Sequence, residues 1–445
     1  MHEAVLENGL RVLVQEVHTA PLAAVWCCYR VGSGDEGPGL TGVSHWVEHM
    51  NFKGTTNIPR EKIKGIIEQY GGDWNAYTWI DQTCYTDTAT RDALDHMLFI
   101  EAERMSGSLF DPAECESERT VIVSELQGGE NEPDLLLDQE VTASAFRVHP
   151  YGHPTIGWLG DVQTMSRDDL YEHYRRFYVP NNATLVVAGD VDAQVTIAAV
   201  ARRFESIHPA TVIRPRRPVE PPQRGERRVT MQEPGTTAYL RVAYRAPSIG
   251  DLDFHAVLVL DAILTGAKGL NIWTSAQSPP PQRSARLYKA LVDGGLASSV
   301  SGGLMPTAEP YLYVLSATAT DGTSLARLEE ATFKALDRIR TEGVTALELA
   351  RAKSQLRARL VFEDDSVTSI AHQLGFFQTI ADWKTFHAMP DRIAMVTEES
   401  CGAVAATMLA ASNRTVGWFD PCGQAGRLTP SAGSGLAGRH GRGRW

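Results

Sequence analysis

Residues Pro209-Ala-Thr-Val-Ile-Arg-Pro-Arg-Arg-Pro-Val-Glu-Pro-Pro-Gln-Arg-Gly225 decide the architecture. The stretch carries five prolines and few core-type side chains. Proline fixes φ and donates no backbone hydrogen bond, so such a run neither continues a helix nor joins the middle of a sheet. It reads as an extended linker over 209–225 that divides the 445-residue chain into halves of similar length, 1–208 and 226–423.

The halves look alike. Tyr29-Arg30-x-x-Ser33 matches Tyr244-Arg245-x-x-Ser248 at an offset of 215. Ser166-Arg-Asp-Asp opens a helix leading to Asn182-Ala-Thr-Leu, and Thr397-Glu-Glu-Ser leads to Asn413-Arg-Thr-Val, at an offset of 231. The offset grows by 231 − 215 = 16 residues, and Gln277-Ser-Pro-Pro-Pro-Gln282 is a natural place for that insertion. Two diverged copies of one domain is the reading; chance likeness between short segments is the alternative.

Each copy is of mixed α/β type. Val5-Leu-Glu-Asn-Gly-Leu-Arg-Val-Leu-Val14 contains Asn8-Gly9, a strong hairpin signal, and Leu22–Val31 is a continuous apolar strand. Further strands are expected near 74–79, 83–89 and 183–189, and helices near 41–53, 59–70, 91–106, 112–130, 135–147 and 166–177. Interleaved helices and strands indicate a layered α/β (α+β) fold. The Gly/Ser/Ala-rich tail, 424–445, is expected to be disordered.

Composition excludes several functions. Lys and Arg total 42 against 54 Asp and Glu, so 42 − 54 = −12, and the chain is a poor general binder of nucleic acid or anionic membrane. No run of 18 apolar residues exists to span a bilayer. The start lacks the charged and apolar regions of a signal peptide, so the protein is expected to be soluble and cytoplasmic, or periplasmic after removal of a signal. The six cysteines form no CxxC pair and suit a reduced core.

Chemistry concentrates in Gly42-Val-Ser-His45-Trp-Val-Glu48-His49-Met-Asn-Phe-Lys-Gly-Thr55. On a helix, His45 and His49 share a face, and Glu48 lies on it without having to be a ligand. Two imidazoles beside a carboxylate suit zinc, in the order H-x-x-E-H. A third ligand should be a carboxylate on another helix. Asp111-Pro-Ala-Glu114 starts one, with Asp as N-cap and Pro in the first turn. On it Glu118 and Glu125 align seven residues apart; Glu125 can be the third ligand, and Glu118 can hydrogen-bond a ligating histidine. A solvated acidic face is the alternative. Lys53-Gly54-Thr55 is no phosphate loop, because the upstream glycines are absent.

These residues carry a likeness. The chain resembles the pitrilysin/insulinase family of zinc peptidases, which includes the mitochondrial processing peptidase. His45-x-x-Glu48-His49 is followed by Asn75-Ala76-x-Thr78-x-x-Asp81-x-Thr83-x-Tyr85, Glu118-Arg-x-Val-Ile-x-x-Glu125, His149-Pro-Tyr-Gly-His-Pro-x-x-Gly157 and Arg286-Leu-Tyr-Lys-Ala-Leu. The resemblance implies His45, His49 and Glu125 as ligands of one zinc ion, carried by the first domain only, and Glu48 as the base. It implies a peptide substrate, and two homologous domains, each a mostly antiparallel sheet covered by helices, closing as a clamshell. It also implies that Asn75 and Ala76 lie on the strand that receives substrate. Around that strand Trp74, Tyr77 and Trp79 could form pockets; ordinary packing aromatics is the alternative. In the second copy Leu260, Ile263 and Leu264 fall where His45, Glu48 and His49 stand in the first.

One departure stands out. Family members bring an Arg and a Tyr from the second half close to substrate, but here Val292 stands where the Arg is expected and a serine replaces the Tyr. Arg286 and Tyr288 belong to a structural helix on this reading. A second, homologous non-zinc subunit, or a second copy of the chain, is expected to supply those groups. The competing reading is a non-catalytic assembly subunit that kept the fold.

Overall fold

The computed structural model describes residues 1–271, 282–363 and 365–422. The insertion placed at 277–282, apart from Gln282, and the tail 424–445 lie outside the described residues. Six strands come from the first half: β1 (His2–Val5), β2 (Arg11–Glu16), β3 (Leu22–Tyr29), β4 (Asp73–Thr78), β5 (Thr83–Thr90) and β6 (Ala183–Gly189). Five come from the second: β7 (Arg227–Pro234), β8 (Tyr239–Ala246), β9 (Ala297–Leu304), β10 (Tyr311–Ala319) and β11 (Arg414–Cys422). The first sheet runs β1-β2-β6-β3-β5-β4 and the second β7-β11-β8-β10-β9.

Without β1 the two sheets have one topology. β2 pairs with β6 in parallel, as β7 does with β11, and the remaining pairs are antiparallel. Register agrees as well: Tyr29 sits opposite Ala183, and Tyr244 opposite Arg414, at the offsets 215 and 231 read from the sequence. Asn182 Nδ2 donates to the carbonyls of Phe177 (2.8 Å) and Arg30 (3.3 Å). Asn413 Nδ2 repeats both bonds, to Met408 (2.8 Å) and Arg245 (3.1 Å). A side-chain amide that ties a helix end to a strand end in both halves is hard to obtain by chance likeness.

Strand composition explains why both faces of each sheet are covered. β3 reads LAAVWCCY and is buried along nearly its whole length, the pattern of a strand with packing on both sides. On one face, Val25, Cys27 and Tyr29 meet Val43, Trp46 and Val47 of the helix Val43–Met50, together with Met97 and Leu98 of Leu94–Gly107. On the other, Trp26 and Cys28 meet Ala371 and Leu374, which belong to the helix Val367–Ile380 of the second half. The exchange is reciprocal: Leu137 and Val141, on the first-half helix Pro133–Ala145, pack on Ala243 and Phe419 of the second sheet. Small residues make room for these helices. A Cβ on Gly375 would lie 2.7 Å from Cys28 Sγ, and one on Gly417 2.3 Å from Val141 Cγ2.

The proline-rich connection has no regular structure over 208–224, yet it is pinned by charge. Arg217 Nη1 donates to Asp81 Oδ1 (3.0 Å), Tyr151 Oη (3.2 Å) and Glu309 Oε1 (3.2 Å). Tyr151 Oη donates to Asp81 Oδ1 at 2.6 Å, and Asp81 Oδ2 accepts from the backbone of Ala308 at 2.9 Å. His149 closes the same cluster through Glu309 Oε2 at 2.9 Å. Asp81, His149 and Tyr151 therefore fasten the two halves together. Among the described residues no helix is long and apolar enough to cross a membrane.

Candidate metal centre

The helix Val43–Met50 carries the H-x-x-E-H residues, and its start is fixed by the fold rather than by its own cap. Gly42 has φ +91°, and a Cβ there would lie 2.4 Å from the Ile156 carbonyl oxygen, so only glycine fits. Glu36, buried below, accepts from the backbone N–H of Gly42 (2.7 Å) and Ser44 (2.8 Å), two of the donors left free at a helix start. Burial pushes the Glu36 carboxyl up to about 8, against the pull of those bonds. Glu36 was not singled out by sequence, since its bonds depend on a loop of unknown shape.

His45 and His49 present Nε2 atoms 3.2 Å apart. Glu125 Oε2, from the helix Pro112–Gly129, lies 3.8 Å from His49 Nε2 and 4.0 Å from His45 Nε2. Among the described residues this is the group of His, Cys, Asp and Glu side chains whose ligand atoms gather within 4.8 Å of one another. Donors about 2.0–2.1 Å from a tetrahedral zinc ion stand roughly 3.3–3.4 Å apart, so the trio fits that ion with small adjustments.

Neighbouring groups orient the two imidazoles. His49 Nδ1 donates to Glu118 Oε1 at 2.9 Å, which leaves the Nε2 lone pair directed toward His45. Burial and the neighbouring His49 hold His45 down to about 3, so it is neutral and able to coordinate. Burial pulls His49 down as well, but Glu118 and the nearby carboxylates outweigh it and its pKa ends above the ordinary value. Burial raises Glu125. It would also raise Glu118, but the bonds from His49 and Lys53 bring that carboxyl below its usual range. Two imidazole nitrogens 3.2 Å apart beside a carboxylate form a donor set that suits a cation.

Glu48 stands apart from the trio. Thr78 Oγ1 donates to Glu48 Oε2 at 2.6 Å. Burial pushes Glu48 up to about 7, and the Thr78 bond opposes that rise. Thr78 lies on β4, whose side chains alternate between two faces. Trp74, Ala76 and Thr78 face the helix that carries the site, Ala76 and Trp74 being part of that core. Sequence reading quoted Thr78 without giving it a role; strand alternation was the signal that could have found it.

The same alternation sets Tyr77 apart from Thr78. Tyr77 points to the opposite face, where its hydroxyl lies 3.2 Å from His372 Nε2 and its ring 6.2 Å from that of Trp26. It packs in the patch between the halves. Asn75 Oδ1 accepts from the Ala76 N–H at 2.9 Å, and β4 is an edge strand of its sheet among the described residues.

The second half holds no counterpart among the described residues. Leu260, Ile263 and Leu264 lie on the wholly buried helix Phe254–Leu264 and pack in its core. Val292 packs against the same core. Arg286 is tied to Glu348 by bonds of 2.7 and 2.8 Å and to the Gly343 carbonyl at 2.9 Å, so its guanidinium is a structural brace.

Comparison with known proteins finds two successive matches, the second beginning ahead of the proline-rich stretch. Residues 11–158 match the family description "Insulinase (Peptidase family M16)", and residues 164–356 match "Peptidase M16 inactive domain". The chain is similar to the probable mitochondrial-processing peptidase subunit beta of Schizosaccharomyces pombe, 25% identical over 91% of this chain and 88% of that one. It is similar to the zinc protease PqqE of Helicobacter pylori, 26% identical over 83% and 82%. A crystal structure of a protease from Helicobacter pylori superposes with a TM-score of 0.87 at 24% identity, over 94% of this chain and 99% of that one. With two successive parts matching one family and the His-His-Glu group in the first, the chain belongs to peptidase family M16 and is a zinc metalloprotease.

Proposed function

We propose that the chain is an endopeptidase that hydrolyses extended peptides or unfolded segments, with one zinc ion held by His45, His49 and Glu125 and with Glu48 as general base. The observation that carries this is the convergence of the three ligand atoms beside a buried carboxylate that is not among them. Zinc, when bound, supplies Lewis acidity that makes water a usable nucleophile near neutral pH.

The chain's own residues do the rest. Thr78 holds one oxygen of Glu48, which leaves the other to accept a proton from the attacking water and return it to the leaving amine. Glu118 keeps His49 in the tautomer with a free Nε2. Substrate adds to the open edge of β4, with backbone bonds near Asn75 and Ala76; the Ala76 N–H, now covered by the Asn75 side chain, is freed for the peptide. Backbone pairing tolerates many sequences, which suits unfolded substrates.

The donors that steady the developing oxyanion come from another subunit on this reading. Val292 is apolar, and Arg286 is committed to Glu348, so neither serves. A homologous non-zinc subunit, or a second copy of this chain, fills the gap; the relative from Schizosaccharomyces pombe bears the name of a beta subunit. A purely structural subunit would have no need of an aligned His45/Glu48/His49/Glu125 set.

The test is Glu48→Gln, assayed for zinc content and for peptide cleavage, alone and mixed with a candidate partner. The variant should keep its zinc and lose turnover. Wild-type rates from it would remove Glu48 as the base. Equal rates for the wild-type chain with and without partner would remove the need for a second subunit.

A further inference from the structure

The ion-pair chain behind His49 does not end at Glu118. Its Oε1 faces His49 Nδ1, and its Oε2 pairs with Lys53 Nζ. We propose that Lys53 is a positioning residue for the metal centre, setting zinc affinity through Glu118; the inference rests on His45, His49 and Glu125 being the ligands.

Geometry places Lys53 for this. It lies in the turn just past the helix end, and both it and His49 reach Glu118. The chain leaves the helix in a tight turn, with Phe52 N–H donating to the His49 carbonyl (3.1 Å) and Lys53 N–H to that of Met50 (3.0 Å). Gly54 follows with φ +103°, a conformation that carries the backbone away while Lys53 reaches back to Glu118. The loop beyond is clamped by Thr55 Oγ1 on Glu103 (2.8 Å), so Lys53 hangs from a fixed support.

The pair differs from an ordinary surface ion pair. The Glu118 side chain is 7% exposed and that of Lys53 25%. Most of the carboxylate is out of water, so its charge needs a partner on the side away from the histidine. With Lys53 on Oε2, Oε1 is left directed at the imidazole. Without the ammonium the carboxylate is free to rotate or to draw in water, and His49 loses the fixed acceptor that orients its ring. Outer partners of this kind change metal affinity by about 10–100-fold. The stem of Lys53 lies partly on the surface, so its removal leaves the core intact.

The experiment compares wild type, Lys53→Gln and Lys53→Arg as full chains. Zinc affinity is read by competition with a fluorescent chelator, and the unfolding midpoint is read without metal and with added zinc. The expected result is about tenfold weaker zinc binding by Lys53→Gln and a smaller zinc-induced rise in midpoint, with the metal-free midpoint close to that of wild type. Lys53→Arg keeps the charge and should recover most of the affinity. Equal zinc affinity in wild type and Lys53→Gln overturns the proposal, as does a Lys53→Arg no better than Lys53→Gln. A wild-type chain that takes up no zinc instead refutes the ligand assignment itself, so the two failures are distinguishable.

Discussion

Thr78→Val isolates the contact between the substrate strand and the base. Valine has nearly the shape of threonine and suits a strand, so β4 should be undisturbed. The substitution deletes the bond from Thr78 Oγ1 to Glu48 Oε2 at 2.6 Å, together with a longer contact to Thr83 Oγ1 at 3.4 Å. A hydrogen bond to a charged group contributes about 1.5–3 kcal/mol. About 1.4 kcal/mol is a factor of ten in rate and one pH unit in a titration. Taking the lower end, kcat/KM should fall about tenfold. The bond favours ionised Glu48, which burial has already pushed up to about 7. Deleting it raises the carboxyl further, so the acid limb of the kcat/KM profile should move toward higher pH by about one unit. A bound cation lowers the limb in both proteins, and the comparison between them stands. Thr78→Ser keeps the hydroxyl and should restore rate and profile together. The assay is cleavage of a fluorogenic peptide between pH 5 and 9. A slower Thr78→Val with an unmoved acid limb, or one as fast as wild type, would refute the reasoning.

Three further outcomes are expected. Glu125→Gln should copurify with far less zinc than wild type while its circular dichroism is unchanged, because a neutral amide is a poor third donor; full occupancy would move the ligand elsewhere. Asp81→Ala removes the acceptor of Tyr151, Arg217 and the Ala308 backbone and leaves Arg217, 14% exposed, short of a partner. Arg217 keeps Asp35 at 3.1 Å and Glu309 at 3.2 Å, so the cost is that of unsatisfied buried donors, about 1–3 kcal/mol, which should appear as a drop in thermal midpoint. Gly375→Val puts carbon 2.7 Å from Cys28 Sγ, and overpacking of about 1–3 kcal/mol should lower the denaturant midpoint; a silent substitution would argue against the helix exchange.

Local chemistry was legible in the sequence because it repeats at short spacing. His45 and His49 declare a shared helix face by their separation, and Asp111-Pro112 declares the helix that brings Glu125, with Asp111 Oδ1 accepting from Ala113 N–H at 2.8 Å as an N-cap does. The duplication was legible because a turn residue such as Asn182 or Asn413 does the same job twice. What stayed hidden depends on contacts between distant segments. Nothing in the spacing of Asp81, Tyr151, Arg217 and Glu309 says that they meet. The exchange of the helices Pro133–Ala145 and Val367–Ile380 is equally invisible, since an apolar face does not name the sheet it covers. The contact of Tyr77 with His372 is hidden for the same reason, since it joins residues of the two halves.

The central claim is that His45, His49 and Glu125 meet at one zinc ion in the first half. Anomalous diffraction at the zinc edge, on crystals of zinc-loaded Glu48→Gln, tests it directly. The account predicts one strong peak per chain, about 2.0–2.2 Å from His45 Nε2, His49 Nε2 and a Glu125 carboxylate oxygen. A zinc peak beside Leu260–Leu264, or none within reach of residue 125, would contradict it.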